Sequence, residues 1–230
     1  MSARVVLESL PYLLRGTLVT VGLSLAVIAL GTAAGLTLGV LRFVPWRGVG
    51  RGIGWAVQLV RAVPLLLLMF FIFFGLPAIG VGLPTLPAAV LAMSLWMMVN
   101  TAEVVRGGIQ SIPTGQVEAA RSLGLGWVPM MRHVIVPQAV RRMIPPFVGL
   151  CTILIKDTSL AAIIGVFELT RAAQETIERT LRSFEIYTVT AAIYFVICFP
   201  LTRLAQRAEA RRFAHAPSGD MSGAWAVRSS

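Results

Sequence analysis

Residues 115–124 read Gly115-Gln116-Val117-Glu118-Ala119-Ala120-Arg121-Ser122-Leu123-Gly124, and a little further on stand Val134-Ile135-Val136-Pro137. This is the one long polar interruption in the middle of a very apolar chain, and its reading decides what the apolar runs around it are for. Pro113 and Gly115 stop whatever precedes them. Residues 118–123 are helix formers with an acid in the first turn, where the helix dipole favours negative charge. Gly124 and Gly126 supply a break, because glycine turns the chain left-handed at no steric cost. Pro129 suits the first turn of a second short helix. The stretch is thus predicted to be two short helical pieces joined at a glycine corner. Arg121, Arg132, Arg141 and Arg142 accompany it, which assigns it to the cytoplasmic side. Its charge pattern alone is also that of an ordinary solvated loop; its shape is that of a surface for docking a partner.

The rest of the chain fits a membrane. Of 230 residues, 57% are hydrophobic and 13% charged, with a mean hydropathy of +0.81; soluble domains carry roughly 25% charged residues. The net charge of +10 would point to nucleic acid in a soluble protein. Here the basic residues flank apolar runs, where they set topology and meet anionic lipid, so no nucleic-acid partner is expected. Cys151 and Cys198 lie inside apolar runs with no disulfide, metal or redox spacing. The first apolar run is long enough to span, so it is not read as a cleavable signal.

Five spans are expected, over residues 14–41, 55–76, 86–105, 143–165 and 186–207. Residues 1–13 form a short amphipathic lead-in, and residues 209–230 a disordered tail rich in Pro, Ser and Gly. In the first span, Gly31, Gly35 and Gly39 repeat every fourth residue, which lets another helix approach closely. Pro64 kinks the second span or loosens its first turns. Five spans put the termini on opposite sides. The larger set of arginines (Arg42, Arg47, Arg51, Arg106, the central group and the C-terminal group) marks the cytoplasm. The N-terminus is then outside, and the central loop and C-terminus inside.

Two places carry charge within the apolar runs. Lys156, the only lysine, adjoins Asp157 in the fourth span and is followed by Thr158 and Ser159. Each such charge costs roughly 2.5–3.5 kcal/mol at a helix centre. Each must therefore face a partner or a wet cavity, either lining a translocation path or holding helices together. Adjacent helical positions point about 100° apart, so separate partners are expected. On the third span, Asn100 and Glu103 lie one turn apart; they reach a solute from that side, or Glu103 is a satisfied acid at the membrane surface. No phosphate-binding Gly-x-x-x-x-Gly-Lys-Ser/Thr loop is present, so the chain is not expected to hydrolyse ATP or bind a cofactor itself. His133 and His215 have no metal-ligand spacing.

The order Glu118-Ala119-Ala120, Gly124, Val134, Val136, Pro137 resembles the coupling-loop motif of ATP-binding-cassette importer permeases, with Val at the usual Ile and Leu positions. The resemblance extends over roughly residues 12–210. The segments 103–113, 136–139, 156–160 and 168–170 are similar to the branch that imports polar amino acids. It implies an all-α integral membrane fold, five transmembrane helices within a type-1 domain at 14–208, and a cytoplasmic coupling helix in the loop 113–137. It implies a multi-pass subunit of the bacterial inner membrane working with a dimer of ATPase subunits, a second permease subunit (the same chain or a homologue) and an extracytoplasmic solute-binding protein. Glu118, Ala119, Ala120 and Gly124 would carry the contact with the ATPase. Trp96, Asn100, Glu103, Lys156, Asp157 and Thr158 are the candidates for the solute path. Trp96, Val99 and Asn100 depart from the branch pattern Asn-x-x-Ala-Tyr, and Gly149-Leu150 from its Asn-Gln, which opens the path to a less polar or atypical amino-acid-like solute. The rival readings are a self-contained channel or secondary carrier, for which no inverted repeat is evident, and an inert membrane scaffold, which has little reason to bear Lys156 and Asp157.

Overall fold

The computed structural model describes residues 3–43 and 47–213; the expected tail beyond residue 213 lies outside them. The described chain is helical from end to end. Helix α1 (Ala3–Leu41) is 39 residues long, so the amphipathic lead-in is no separate element: it is the first turns of α1, and Leu13 there is fully buried. After α1 come α2 (Arg47–Arg61) and α3 (Leu65–Phe70), the latter running on through a wide π turn at Phe71–Gly75 and a 3-10 turn at Leu76–Ile79.

The expected second span is therefore two pieces. Gly48–Arg61 and Leu65–Ile79 meet at 95°, and the corner falls where the ring of Pro64 denies the helix its N–H and pushes Val63 out of the helical region. Val57 of α2 is buried against Val99 and Ala102, while Leu65 and Met69 of α3 join the main core.

Helix α4 (Thr85–Gln110) is the central rod. The glycine stripe of α1 lies on it. A Cβ at Gly31 would come 2.5 Å from Met97 Cβ, one at Gly35 2.6 Å from the Met98 carbonyl oxygen and from Thr101 Cβ, and one at Gly39 2.6 Å from Val105 Cβ. Both helices contribute every fourth residue, so the backbones close on each other as small residues permit. A leucine at Gly35 cannot fit without parting α1 from α4. We expect Gly35→Leu to cost about 1–3 kcal/mol, read as a fall in Tm in detergent. The control is Gly22→Leu, since Gly22 faces open space; equal Tm values for the two variants would show that the seam does not hold.

After α4 the chain forms α5 (Thr114–Ser122) and α6 (Trp127–Met130), then a π turn at Met131–Ile135 that leads without a break into α7 (Val136–Asp157) and a closing 3-10 turn at Thr158–Ile164. Both π turns stand two residues before a proline, Pro77 and Pro137, where the missing N–H and the ring demand a wider turn. The mixed-charge stretch between the expected fourth and fifth spans contains α8 (Leu169–Thr180), whose Leu169, Ala172, Ala173 and Thr176 are buried. It packs on the start of α1, where a Cβ at Gly16 would come 2.8 Å from Ala172 Cβ. Last, α9 (Ser183–Phe213) carries on past residue 208, so residues 209–213 are helical and not part of a disordered tail. Among the described residues, four helices are long and apolar enough to cross a membrane, five spans if the pair bent at Pro64 counts as one.

Candidate functional site

The polar hairpin stands as an outlying element. Helix α5 starts at Thr114, capped by Pro113, so Gly115 lies inside it and Glu118 in its second turn, one turn later than the sequence suggests. The corner is at Gly124, whose φ of +74° is the left-handed conformation glycine adopts freely. Pro129 sits in the first turn of α6, as expected. The second piece is not short, however, because α6 continues into α7 and the fourth apolar helix runs over Trp127–Ile164.

Ala120 is the buried foot of the hairpin, packed with Met130, Met131 and Ile135. Glu118, Ala119 and Gly124 are exposed, and the Glu118 carboxylate makes no ion pair or hydrogen bond within the described residues. Leu123 is 80% exposed and Val128 63%. Two bare aliphatic side chains beside an unsatisfied acid make an apolar and acidic facet suited to a protein partner. Sequence reasoning missed Leu123 and Val128; an aliphatic residue directly before a left-handed glycine corner was the available signal.

The second constellation surrounds Glu103 on α4. Its carboxylate is paired with Arg42 at the end of α1 and with Arg106 (2.8 Å), and Arg61 of α2 lies 3.6 Å away. Three helices are thus tied at one carboxylate that is only 9% exposed. Arg61 also donates to Asn100 Oδ1 at 3.3 Å, and Asn100 donates to the Trp96 carbonyl oxygen at 2.9 Å. Asn100 and Glu103 are brought together along one wall of a 580 Å³ cleft between α4 and α7, with Gly149 and Leu150 on the opposite wall. Trp96 does not line that cleft; it packs against the core. None of the three arginines was tied to Glu103 from sequence, since Arg42 and Arg61 are far from it along the chain.

Lys156 and Asp157 end α7. Lys156 is exposed and Asp157 half-buried, and neither makes a hydrogen bond or an ion pair within 4 Å among the described residues. The helix partners that the cost of their charge led us to expect are absent among those residues. Lys156 lines a second cleft, of 540 Å³, between α7 and α9, beside Ser159, Tyr194 and Cys198. Thr158 is fully buried and donates to the Ile155 carbonyl oxygen at 2.7 Å; it closes the helix and lines neither cleft.

Glu168, not singled out from sequence as a site residue, is fully buried. It caps α8 by accepting from the Arg171 N–H at 2.8 Å and accepts from Tyr194 of α9 at 3.0 Å and Thr20 of α1 at 3.4 Å. Burial pushes its carboxyl above the usual glutamate range against the pull of those donors. It is the knot between α1, α8 and α9.

A bundle of apolar helices with an outlying polar hairpin and charged clefts between its helices fits a membrane transport component. Residues 31–214 match the family of binding-protein-dependent transport system inner membrane components, and the chain belongs to that family. It is 38% identical over 208 residues to the probable glutamine ABC transporter permease protein GlnP of Bacillus subtilis, covering 89% of this chain and 95% of that one. It is 36% identical to the glutamine transport system permease protein GlnP of Escherichia coli (88% and 94% covered) and 32% identical to the nopaline transport system permease protein NocM of Agrobacterium fabrum (91% of each). Its fold is that of the crystal structure of an amino acid ABC transporter with histidines, with a TM-score of 0.84, 31% identity and coverage of 89% of this chain and 96% of that one. The MetNI methionine ABC transporter, at 20% identity, shares the fold with a TM-score of 0.72, covering 87% and 96%.

Proposed function

We propose that this chain is the membrane-spanning permease subunit of an ATP-driven importer that brings an amino acid or amino-acid-like solute into the cytoplasm by alternating access. The relatives' names, glutamine, nopaline and amino-acid permeases among them, support that solute class. The observation that carries the reading is the α5–α6 hairpin: Glu118, Ala119 and Gly124 stand clear of the bundle while Ala120 anchors it. That is how a lever is presented to a separate motor. The hairpin docks on a dimer of ATPase subunits, which supply the ATP chemistry. This chain binds no cofactor and hydrolyses nothing. A second permease subunit, identical or homologous, completes the path, and an extracytoplasmic solute-binding protein delivers the solute.

The topology follows from the same features. Helices α1 and α4 run side by side in the same direction, with the Arg42, Arg61 and Arg106 cluster and the hairpin at their C-terminal ends. The positive-inside rule puts that end in the cytoplasm, the N-terminus outside, and α8 with its arginines outside as well. Asn100, Glu103 and Lys156 line clefts from which they can meet the solute; Trp96, Asp157 and Thr158 act on the path through the backbone and the helix end they hold.

Purification of the tagged chain in mild detergent from its native host tests the proposal. An ATPase subunit and a second permease subunit are expected to copurify in equal amounts. A chain that purifies alone, and that conducts or exchanges solute without ATP, would instead be a channel or secondary carrier.

A further inference from the structure

At the corner between α8 and α9, Leu181 has a φ of +55°; among the described residues it is the only one other than glycine with a positive φ. It holds the position just past the last turn of α8, which glycine fills freely and where a Cβ is penalised. Within the chain the leucine side chain gains almost nothing in return, because it is 84% exposed. Phe184, in the first turn of α9, is 76% exposed, and Tyr187 a turn further on is 47% exposed. A strained backbone that displays bare apolar side chains points to something outside the chain that covers them.

The charges around the corner fix its depth. On α9 no charged residue lies between Glu185 and Arg203. The run 186–202 is about 26 Å long, close to the ~30 Å thickness of the hydrocarbon, so Glu185 stands at the hydrocarbon boundary. On α1 the last charge before the long apolar run is Arg15. Leu13 of α1, Ile186 of α9 and Leu169, Ala172 and Ala173 of α8 share one buried cluster, so the three helices meet at that level. Helix α8 lies across it. Its start is beside Gly16, and near its end the Arg179 guanidinium lies 5.1 Å from the centre of the Tyr12 ring. About 15 Å of α8 thus corresponds to about 6 Å along α1.

We infer that this corner is a keel: Leu181 and Phe184 sink into the lipid headgroup layer at the end of the bundle away from the α5–α6 hairpin, and hold α8 flat on the membrane surface. The headgroup layer adds about 5–7 Å on each side of the hydrocarbon. Leu181 is within about one helical turn of Glu185, so the two side chains lie inside that layer, short of the water in which a soluble partner docks. Arg182 flanks them, 56% exposed and 3.9 Å from Glu185; its stem runs along the apolar corner while its guanidinium stays among the headgroups. Tyr187, on the membrane side of Glu185, takes the place of an interfacial aromatic.

Depth is measured with nitroxide labels on the full complex in phosphatidylcholine vesicles. Leu181→Cys and Phe184→Cys are compared with two references on α1: Glu8→Cys, exposed and two turns outward of Arg15, and Leu18→Cys, 73% exposed within the apolar run. Cys151 and Cys198 are buried, and the signal of the unsubstituted complex is subtracted. Electron spin resonance reads collisions with oxygen, which concentrates in hydrocarbon, and with a water-soluble nickel chelate. The oxygen-to-nickel ratio at 181 and 184 should fall between the two references and exceed that at 8 at least about threefold, as for side chains about 5–10 Å into the boundary. A second measurement reads the holding role. In the double variant Leu181→Gly with Phe184→Ser, a nitroxide on Glu178→Cys of α8 should tumble faster and meet more nickel. The Tm in detergent should not fall, because both replaced side chains are exposed.

A ratio at 181 and 184 equal to that at 8 would put the corner in water and overturn the inference. So would few collisions with either reagent, because a protein subunit would then cover the corner in place of lipid. A label at 178 that is unmoved by the double variant would remove the keel as a support for α8. None of these readouts depends on solute uptake, so the function proposed above stands or falls separately.

Discussion

A permease carrying Glu118→Lys inserts, folds and imports nothing. Glu118 is exposed and has no partner within the described chain, so the substitution leaves the bundle's own contacts intact and its Tm unchanged. What changes is the facet formed with Ala119, Leu123 and Val128. If that facet seats in an ATPase, reversing its one charge leaves the partner's complementary group facing a cation. Losing one member of a docked charge pair costs about 2–5 kcal/mol, a factor of at least about 30 in affinity. Solute uptake driven by ATP in proteoliposomes should fall to background, and the ATPase should no longer copurify. Uptake at the wild-type rate would remove the hairpin from the coupling mechanism.

Glu103→Ala acts on stability first. The carboxylate is 9% exposed and shared by Arg42, Arg61 and Arg106 on three helices. Removing it leaves three guanidiniums facing one another, and breaking a buried pair costs about 3–5 kcal/mol. The arginines are 17%, 36% and 35% exposed, and water can still reach them, so the lower end of that range is expected. Thermal unfolding in detergent reads it directly. The double variant Glu103→Ala with Arg42→Ala should recover part of the loss, because one of the stranded cations is gone, and the cycle gives the coupling between the two sites. A single-variant change below about 0.5 kcal/mol, as for a surface substitution, would mean that the cluster does not tie the helices.

The fold was legible where local chemistry decides it. The glycine corner, Pro129 in the first turn beyond it, and the glycine stripe on α1 each follow from what one residue type permits sterically, and each stands where the sequence puts it. The second span was legible only in part. Pro64 announces a kink, but its size, 95°, depends on α2 finding a seat for Val57 against Val99 and Ala102, a tertiary contact that hydropathy does not register. Charge obscured α8, because Arg171, Glu175 and Arg179 dominate its composition while Leu169, Ala172, Ala173 and Thr176 bury its inner face. The ion cluster at Glu103 was illegible for a different reason: two of its arginines are 61 and 42 positions away along the sequence, and only the folding of α1 and α2 onto α4 brings them together. Lys156 was conspicuous, but its lack of a helix partner could be seen only with every neighbour in place.

The helix over Trp127–Ile164 begins inside the α5–α6 hairpin and ends eight residues past Lys156. It is 38 residues long, about 57 Å, and its joints are the wide turn at Met131–Ile135 and the proline pair at 145 and 146. A push at its foot would be carried along one continuous backbone, as rotation of the whole less what those joints take up. A swing of about 5° around the midpoint carries the two ends some 2.5 Å in opposite directions. On the lever reading proposed above, a stroke that moves the hairpin end one way would move the ammonium of Lys156 the other way, and the wide turn at Met131–Ile135 and the paired prolines at 145 and 146 are where part of that motion would be absorbed.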